Sequence, residues 1–353
     1  MRQGKAAIAE YINLENEKGE AVGHSPKVLE ESADLLKNHC KIRVICSDSL
    51  KRYIGLEYET VQVIGNYHKM NKAFMFFNRW KNLNKIFDSV KDCDMVWFTN
   101  VDWVLFFYLA FKKNIKIPIV VTLYRDIVSD MKNYRSGIRR IFGKICLSSM
   151  RRIMLYVVTN PSLKLFDNQI MLPDFYYSKK YDKYSDTKKK EQIVCLGAMR
   201  GTKDLIGVVK HFSGTDIKVI IAGDFMYKDE YQQLLEIADE NISIEDKVLP
   251  FDQYYRMIAE SKYTLLPYKI ERYENATSGI LLESLFLKSI PIAPKWLLEN
   301  NNIMGIGYDT LNSLPKSMSE LNNLISEQTF DIEDYKKENI EKKLIYAIEE
   351  CGL

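Results

Sequence analysis

The chain has 353 residues, enough for two ordinary domains and too long for one small core. Its 50 Lys and Arg stand against 47 Asp and Glu, and this net charge of +3 lacks the global basic excess that marks nucleic-acid binders, so a charged partner has to be met locally. The six cysteines (Cys40, Cys46, Cys93, Cys146, Cys195 and Cys351) show no CxxC spacing and several lie in apolar runs, which predicts buried free thiols in a reducing cytoplasm.

The opening stretch MRQGKAAIAEYINLENEKGE reaches polar residues too early to hold the apolar core of a signal peptide, and within it KAAIAEYI reads as a strand. A helix from about Pro26 (PKVLEESADLL) follows, then strands KIRVICS and YETVQVIG, a helix through the seventies and eighties, and strand DMVWFTN. Next come a helix, strand KIPIVVTLY, a long basic helix and strand LYVVTNP; the longest apolar segment, WVLFFYLAF at 103–111, is far short of the roughly 20 residues that span a bilayer. This alternation is the signature of parallel strands joined by helical crossovers.

Residues 178–191, SKKYDKYSDTKKKE, are dense in Lys, Asp and Tyr and read as an interdomain linker. The pattern then restarts: QIVCLGA, DLIGVVKHF, IKVIIAGD, KDEYQQLLEIADE, KVLP, FDQYYRMIAES, YTLLPY, SGILLESLFLK and SIPIAP alternate strand and helix. The expected division is a first Rossmann-like domain over 1–177, a linker over 178–191, a second Rossmann-like domain over 192–329, and an amphipathic tail over 330–353 that packs back on the rest. Two doubly wound α/β sheets facing each other would place the ligand in a cleft at the carboxyl ends of the strands.

Three strand ends in the second half converge on a phosphorylated ligand. After IVCLG, the loop GAMRGTKD offers Arg200 and Lys203 just before a helix, a suitable arrangement for phosphate. After KVLP, Pro250 and Phe251 could wall a flat pocket for a base or simply turn the chain. Thr277, Ser278 and Gly279 open an apolar helix without bulk, leaving backbone N–H groups for a diphosphate at the positive end of the helix dipole. Glu283, four residues beyond Gly279, is placed to accept hydrogen bonds from vicinal ribose hydroxyls.

Residues 192–300 resemble, in order, the nucleotide-sugar-binding domain of GT-B glycosyltransferases of the family 4 type. The shared features are a strand ending in Gly197 with Lys203 six residues on and Arg200 between them, then IIAGD, VLPF, LLPY, TSGILLES and KSIPIAP. The resemblance implies that Arg200 and Lys203 neutralise the donor diphosphate, that Ser278 and Gly279 bind it through main chain, and that Glu283 holds the ribose. It departs where many members carry a first glutamate eight residues before the second: Asn275 stands there, with Glu274 displaced by one, so Glu274, Asn275 and Thr277 are the candidates near the donor sugar.

In the first half, the family's strand ending in Thr-x-His corresponds to IVVTLYRD, where Tyr124 replaces the histidine and Arg125 and Asp126 follow. Asp126 is a candidate base for an inverting transfer, or the cap of the helix beginning IVSDM; in a retaining transfer the leaving phosphate itself would serve as base. Gly23 and His24 correspond to the glycine loop of the acceptor domain, and His24 has a pKa suited to proton transfer.

The segment 132–154 carries seven cations (Lys132, Arg135, Arg139, Arg140, Lys144, Arg151 and Arg152) and no acid, with Ile138, Ile141, Phe142, Ile145 and Met150 near one face. That composition predicts a helix lying on an anionic membrane surface or reaching a lipid diphosphate. The resulting expectation is a cytoplasmic glycosyltransferase, peripheral on the inner face of the cell membrane. It would move a sugar from a UDP- or GDP-sugar to a lipid-linked oligosaccharide or polysaccharide acceptor in capsule, O-antigen or exopolysaccharide synthesis. A sugar-nucleotide epimerase and a non-catalytic sugar-nucleotide or glycan-binding scaffold remain as alternatives. No His, Asp or Glu cluster has ligand spacing and the DCD at 92–94 reads as a turn, so neither metal nor cofactor is expected beyond the nucleotide-sugar co-substrate.

Overall fold

The computed structural model describes residues 4–21, 25–55, 57–67, 69–133, 137–270, 278–325 and 330–352. They form two compact units, one of residues 1–176 with 337–353 and the other of residues 177–336.

The first unit is built on seven strands: β1 (Lys5–Ala9), β2 (Lys41–Ser47), β3 (Glu59–Val63), β4 (Met95–Phe98), β5 (Ile119–Leu123), β6 (Leu155–Val158) and β7 (Gln169–Met171). Their spatial order is β3-β2-β1-β4-β5-β6-β7 and all pairs are parallel. Strand residues alternate between two cores: Ala7, Ala9, Val96 and Phe98 go to one side, and Ala6, Ile8, Met95 and Trp97 to the other. Burial on both faces is why these strands read as continuous apolar runs. Helices α1 (Ser25–Leu36), α2 (Lys72–Ser89), α3 (Trp103–Phe111), α4 (Ile127–Lys132) and α5 (Gly137–Ser149) belong to this unit.

The second unit contains β8 (Lys190–Leu196), β9 (Lys218–Gly223), β10 (Ile242–Asp246), β11 (Ser261–Leu265), β12 (Ile290–Pro294) and β13 (Ile306–Tyr308). They are again all parallel, in the order β10-β9-β8-β11-β12-β13. In both sheets the order reverses direction beside the first strand, the switch point outside which ligands bind in open α/β folds. The helices that matter for the site are α6 (Leu205–Phe212), α7 (Phe251–Glu260) and α8 (Gly279–Phe286). The final helix, α9 (Lys337–Glu350), belongs to the first unit, where Ile340, Leu344, Ala347 and Ile348 join Leu29, Ala33 and Leu36 of α1 in one core.

Two local readings change. The strand expected at KVLP lies earlier, at Ile242–Asp246, and Val248 is exposed. As the edge strand, β10 buries Ile242 and leaves the rest of its length partly or fully exposed, so its polar residues masked it. Residues 178–191, set apart above as a linker, hold a 3-10 turn (Lys179–Tyr184) and the start of β8 within the second unit. Tyr181 and Tyr184 are buried there against Tyr255. The six thiols are unpaired; Cys46, Cys146 and Cys195 are buried, whereas Cys40, Cys93 and Cys351 are only half-buried.

Candidate functional site

In the second unit the site begins where β8 and β9 end. Gly197 has φ +98°, a left-handed conformation that a side chain would strain, and a Cβ there would lie 3.0 Å from Ile280 Cδ1 and 3.8 Å from Lys203 Nζ. Gly223 is tighter still, since its Cβ would come within 1.7 Å of the Gly197 carbonyl oxygen. The two glycines let neighbouring strand ends close while the chain turns into the loop 198–204. Within that loop the Met199 N–H donates to Asp224 O (2.9 Å), the Asp204 N–H to Pro267 O (2.7 Å), and Asp204 caps α6 by accepting from the Gly207 N–H (3.2 Å).

The two cations expected at the phosphate are held differently. Lys203 is buried, with Nζ donating to Leu196 O at 2.7 Å and standing 5.9 Å from the centre of the Tyr268 ring. Arg200 is exposed on the same loop. The Tyr268 hydroxyl pairs with Ser278 Oγ at 3.1 Å, so Ser278, the residue before α8, points its side chain at the tyrosine rather than capping its own helix. Gly197, Lys203, Tyr268, Ser278 and Ile280 therefore form one neighbourhood at the carboxyl ends of the strands, with Gly279 opening α8 beside Ser278.

Every residue of α8 is buried, including Glu283 at 3% exposure. A carboxylate at that depth requires partners, and Tyr254 donates its hydroxyl to Oε2 at 2.7 Å. Burial, and then the Glu283 charge, push the Tyr254 phenol well above its ordinary range, so it remains a protonated donor. Tyr254 lies on the first turn of α7, where its N–H reaches Pro250 O at 2.9 Å. Pro250 precedes the helix and is exposed; Phe251 is 44% exposed and lies near-parallel to Tyr255, with ring centres 6.0 Å apart. Tyr254 and Tyr268 were missed by sequence reasoning; each joins an apolar body to a polar tip that needs a partner when buried, but nothing in the sequence names Glu283 or Ser278 as that partner. Glu274, Asn275 and Thr277 lie outside the described residues.

In the first unit, Gly23 and His24 also lie outside the described residues. Asp126 caps α4: Oδ1 accepts from the Ser129 N–H at 2.9 Å and Oδ2 from the Ser129 hydroxyl. Arg125 is exposed, 3.7 Å from Asp130. Tyr124 is half-buried at the end of β5, and loss of solvation, with Asp174, Glu10 and Glu31 nearby, pushes its phenol well up. Sequence reasoning also passed over Glu10, the residue after β1. It is 1% exposed, its Oε1 accepts from the N–H groups of Ile12 (2.8 Å) and Asn13 (3.3 Å), and among the described residues Oε2 finds no donor in hydrogen-bond geometry. Burial raises the Glu10 pKa to about 7 against the pull of those N–H groups.

No protein-family model and no curated protein matches the chain. Solved structures do match, over nearly the whole length of both chains. The N-terminal domain of the Candida albicans trehalose-6-phosphate phosphatase superposes with TM-score 0.65 at 10% identity, covering 99% of this chain and 97% of that one. Anabaena HepE in complex with UDP and glucose gives 0.62 at 10% identity over 99% and 100%. AviGT4, a glycosyltransferase involved in avilamycin A biosynthesis, gives 0.57 at 10% identity over 98% and 97%. The chain has the GT-B fold.

On this GT-B chain the basic segment is only in part what its composition suggested. Within α5 the buried residues are Gly143, Cys146 and Ser149, while Ile138 (86%) and Ile141 (62%) are exposed beside exposed Arg139, Arg140 and Lys144. Phe142 packs on Trp103 and Phe107, and Met150 is buried, so both leave the expected outward apolar face. Arg152 is also withdrawn: it donates to the carbonyls of Leu109, Lys112 and Ile115, holding the end of α3. Arg135 lies outside the described residues, and among the described residues no helix is long and apolar enough to cross a membrane.

Proposed function

We propose that the chain is a glycosyltransferase that takes a sugar from a UDP- or GDP-sugar bound in its second unit. The observation that carries this reading is the meeting of Gly197, Lys203 and Ser278, linked by Tyr268, at the mouth of α8. Likeness in fold to a protein solved with UDP and glucose and to a glycosyltransferase involved in avilamycin A biosynthesis supports it.

When the glycosidic bond breaks, its electron pair goes to the β-phosphate oxygen and negative charge grows on the leaving diphosphate. The N–H groups opening α8 at Ser278 and Gly279 and the Lys203 ammonium would compensate that charge, with Arg200 as a second cation on the same loop, so the reading assigns this task to the protein rather than to a metal. Glu283 would hold the ribose diol, and Pro250 and Phe251 would wall the base. The acceptor hydroxyl supplies the nucleophile, and a lipid-linked oligosaccharide or polysaccharide of a cell-surface glycan is the proposed acceptor. The exposed Ile138 and Ile141 among cations support action on the inner, anionic face of a membrane.

Release of UDP or GDP from a panel of nucleotide sugars tests the reading. The wild type should release one of them, and Lys203→Ala should lower the rate by about 100-fold or more. Donor binding without release by the wild type would make the chain a scaffold, and a Lys203→Ala variant as active as wild type would sink the diphosphate assignment. Co-sedimentation with phosphatidylglycerol vesicles tests the membrane arm: binding should be lost on Ile138→Asp with Ile141→Asp, and retained binding there overturns it.

A further inference from the structure

Glu283 is fixed by a residue of another helix. Its Oε2 accepts from Tyr254, so the carboxylate cannot rotate without breaking a 2.7 Å bond to a phenol that remains protonated. Tyr254 in turn sits in the first turn of α7, tied through its N–H to Pro250 O. The same turn carries Phe251, braced on Tyr255, which also meets Tyr254 and Tyr181 edge-on with ring centres 5.4 Å apart in each pair. One short turn therefore presents the exposed face of Phe251 and also aims a buried acid on α8.

We propose that Tyr254 is a positioning residue that aims Glu283 at the ribose diol, making the first turn of α7 the element through which the protein reads a nucleoside rather than a bare diphosphate. This rests on the nucleotide-sugar reading given above. A carboxylate free to turn would bind a diol only after losing that freedom, whereas one held by a buried donor meets the two hydroxyls as a fixed acceptor. The consequence is a preference for ribonucleotides that depends on the phenol oxygen of Tyr254 as well as on Glu283.

Isothermal titration with UDP and GDP, each beside its 2′,3′-dideoxy analogue, tests this on wild type, Tyr254→Phe, Glu283→Ala and the double variant. The wild type should bind one ribonucleotide about tenfold or more tighter than its dideoxy form. Glu283→Ala should erase that preference. Tyr254→Phe should erase most of it by weakening the ribonucleotide alone, and should change nothing further in the Glu283→Ala background. If Tyr254→Phe keeps the wild-type preference while Glu283→Ala loses it, the proposal is overturned and the ribose assignment stands. Equal weakening by Tyr254→Phe in both backgrounds also overturns it, because loss of packing would then be the cause. If Glu283→Ala keeps the preference, or the wild type binds neither nucleotide, the ribose assignment itself fails and takes the proposal with it.

Discussion

The carboxyl ends of the two sheets each bury a carboxylate, Glu283 in the second unit and Glu10 in the first, and hold it differently. In the second unit Glu283 is paired with Tyr254, as Lys203 is with Leu196 O and Ser278 with Tyr268. In the first unit Glu10 is as deeply buried, yet among the described residues one of its oxygens finds no donor in hydrogen-bond geometry. A paired group keeps its geometry without a ligand and adds little strain, whereas an unpaired one lowers stability and shifts its own pKa instead. The buried polar groups named in the second unit thus hold their geometry as they stand, and the first unit holds a titratable group at a cost.

The sharpest way to break the comparison is to part the strand ends on which the second site rests. Gly223→Ala places a methyl within 1.7 Å of a backbone carbonyl, which no side-chain rotation relieves. The expected outcome is a loss of more than about 3 kcal/mol in chemical denaturation. The control is Gly137→Ala, where a Cβ meets nothing within 4 Å among the described residues and stability should hold within about 0.5 kcal/mol. A Gly223→Ala protein as stable as wild type would mean the closure of β8 on β9 is not tight.

The next effect sharpens the other side. Glu10 titrates at about 7 when folded against an ordinary 4.5, so between these values the native state keeps a proton that the unfolded chain releases. Its contribution is fully present below pH 4.5 and is lost as pH rises through 7, about 3 kcal/mol in all. Glu10→Gln, which keeps an acceptor for the Ile12 and Asn13 N–H groups, should flatten that fall and make the variant the more stable protein at pH 8. Urea denaturation of both proteins at pH 5 and pH 8 decides it; parallel losses in the two would refute the assignment to Glu10.

The fold was readable because both sheets are buried on two faces and joined by helices, so apolar runs and amphipathic segments alternate down the chain. The reading failed at the sheet edge, where a strand has one neighbour and keeps polar residues: β10 offers Ile242 and Ile244 among polar residues, and the more apolar VLP beside it attracted the assignment. Composition also misled at 178–191, where Tyr181 and Tyr184 bury their rings while their lysine neighbours reach solvent. At the site, glycines and a helix start could be located from punctuation alone, because those residue types answer to backbone geometry. The partners could not: that Tyr254 meets Glu283, 29 positions away, follows from packing between helices, and Glu10 looks in sequence like the polar end of a strand.

The smallest expected effect concerns Asp126, which sequence reasoning left between base and cap. Both of its oxygens are engaged by Ser129, one through the N–H and one through the hydroxyl, the pattern of a helix cap. Removing the cap with Asp126→Ala should lower stability by about 1 kcal/mol. Asp126→Asn separates the two roles, since an amide oxygen still accepts from the Ser129 N–H but cannot take a proton from an acceptor hydroxyl. A cap predicts that Asp126→Asn keeps both its melting temperature and its rate of nucleoside diphosphate release. A base predicts an unchanged melting temperature with release slowed by about 100-fold or more, and that result would place proton transfer at the end of β5.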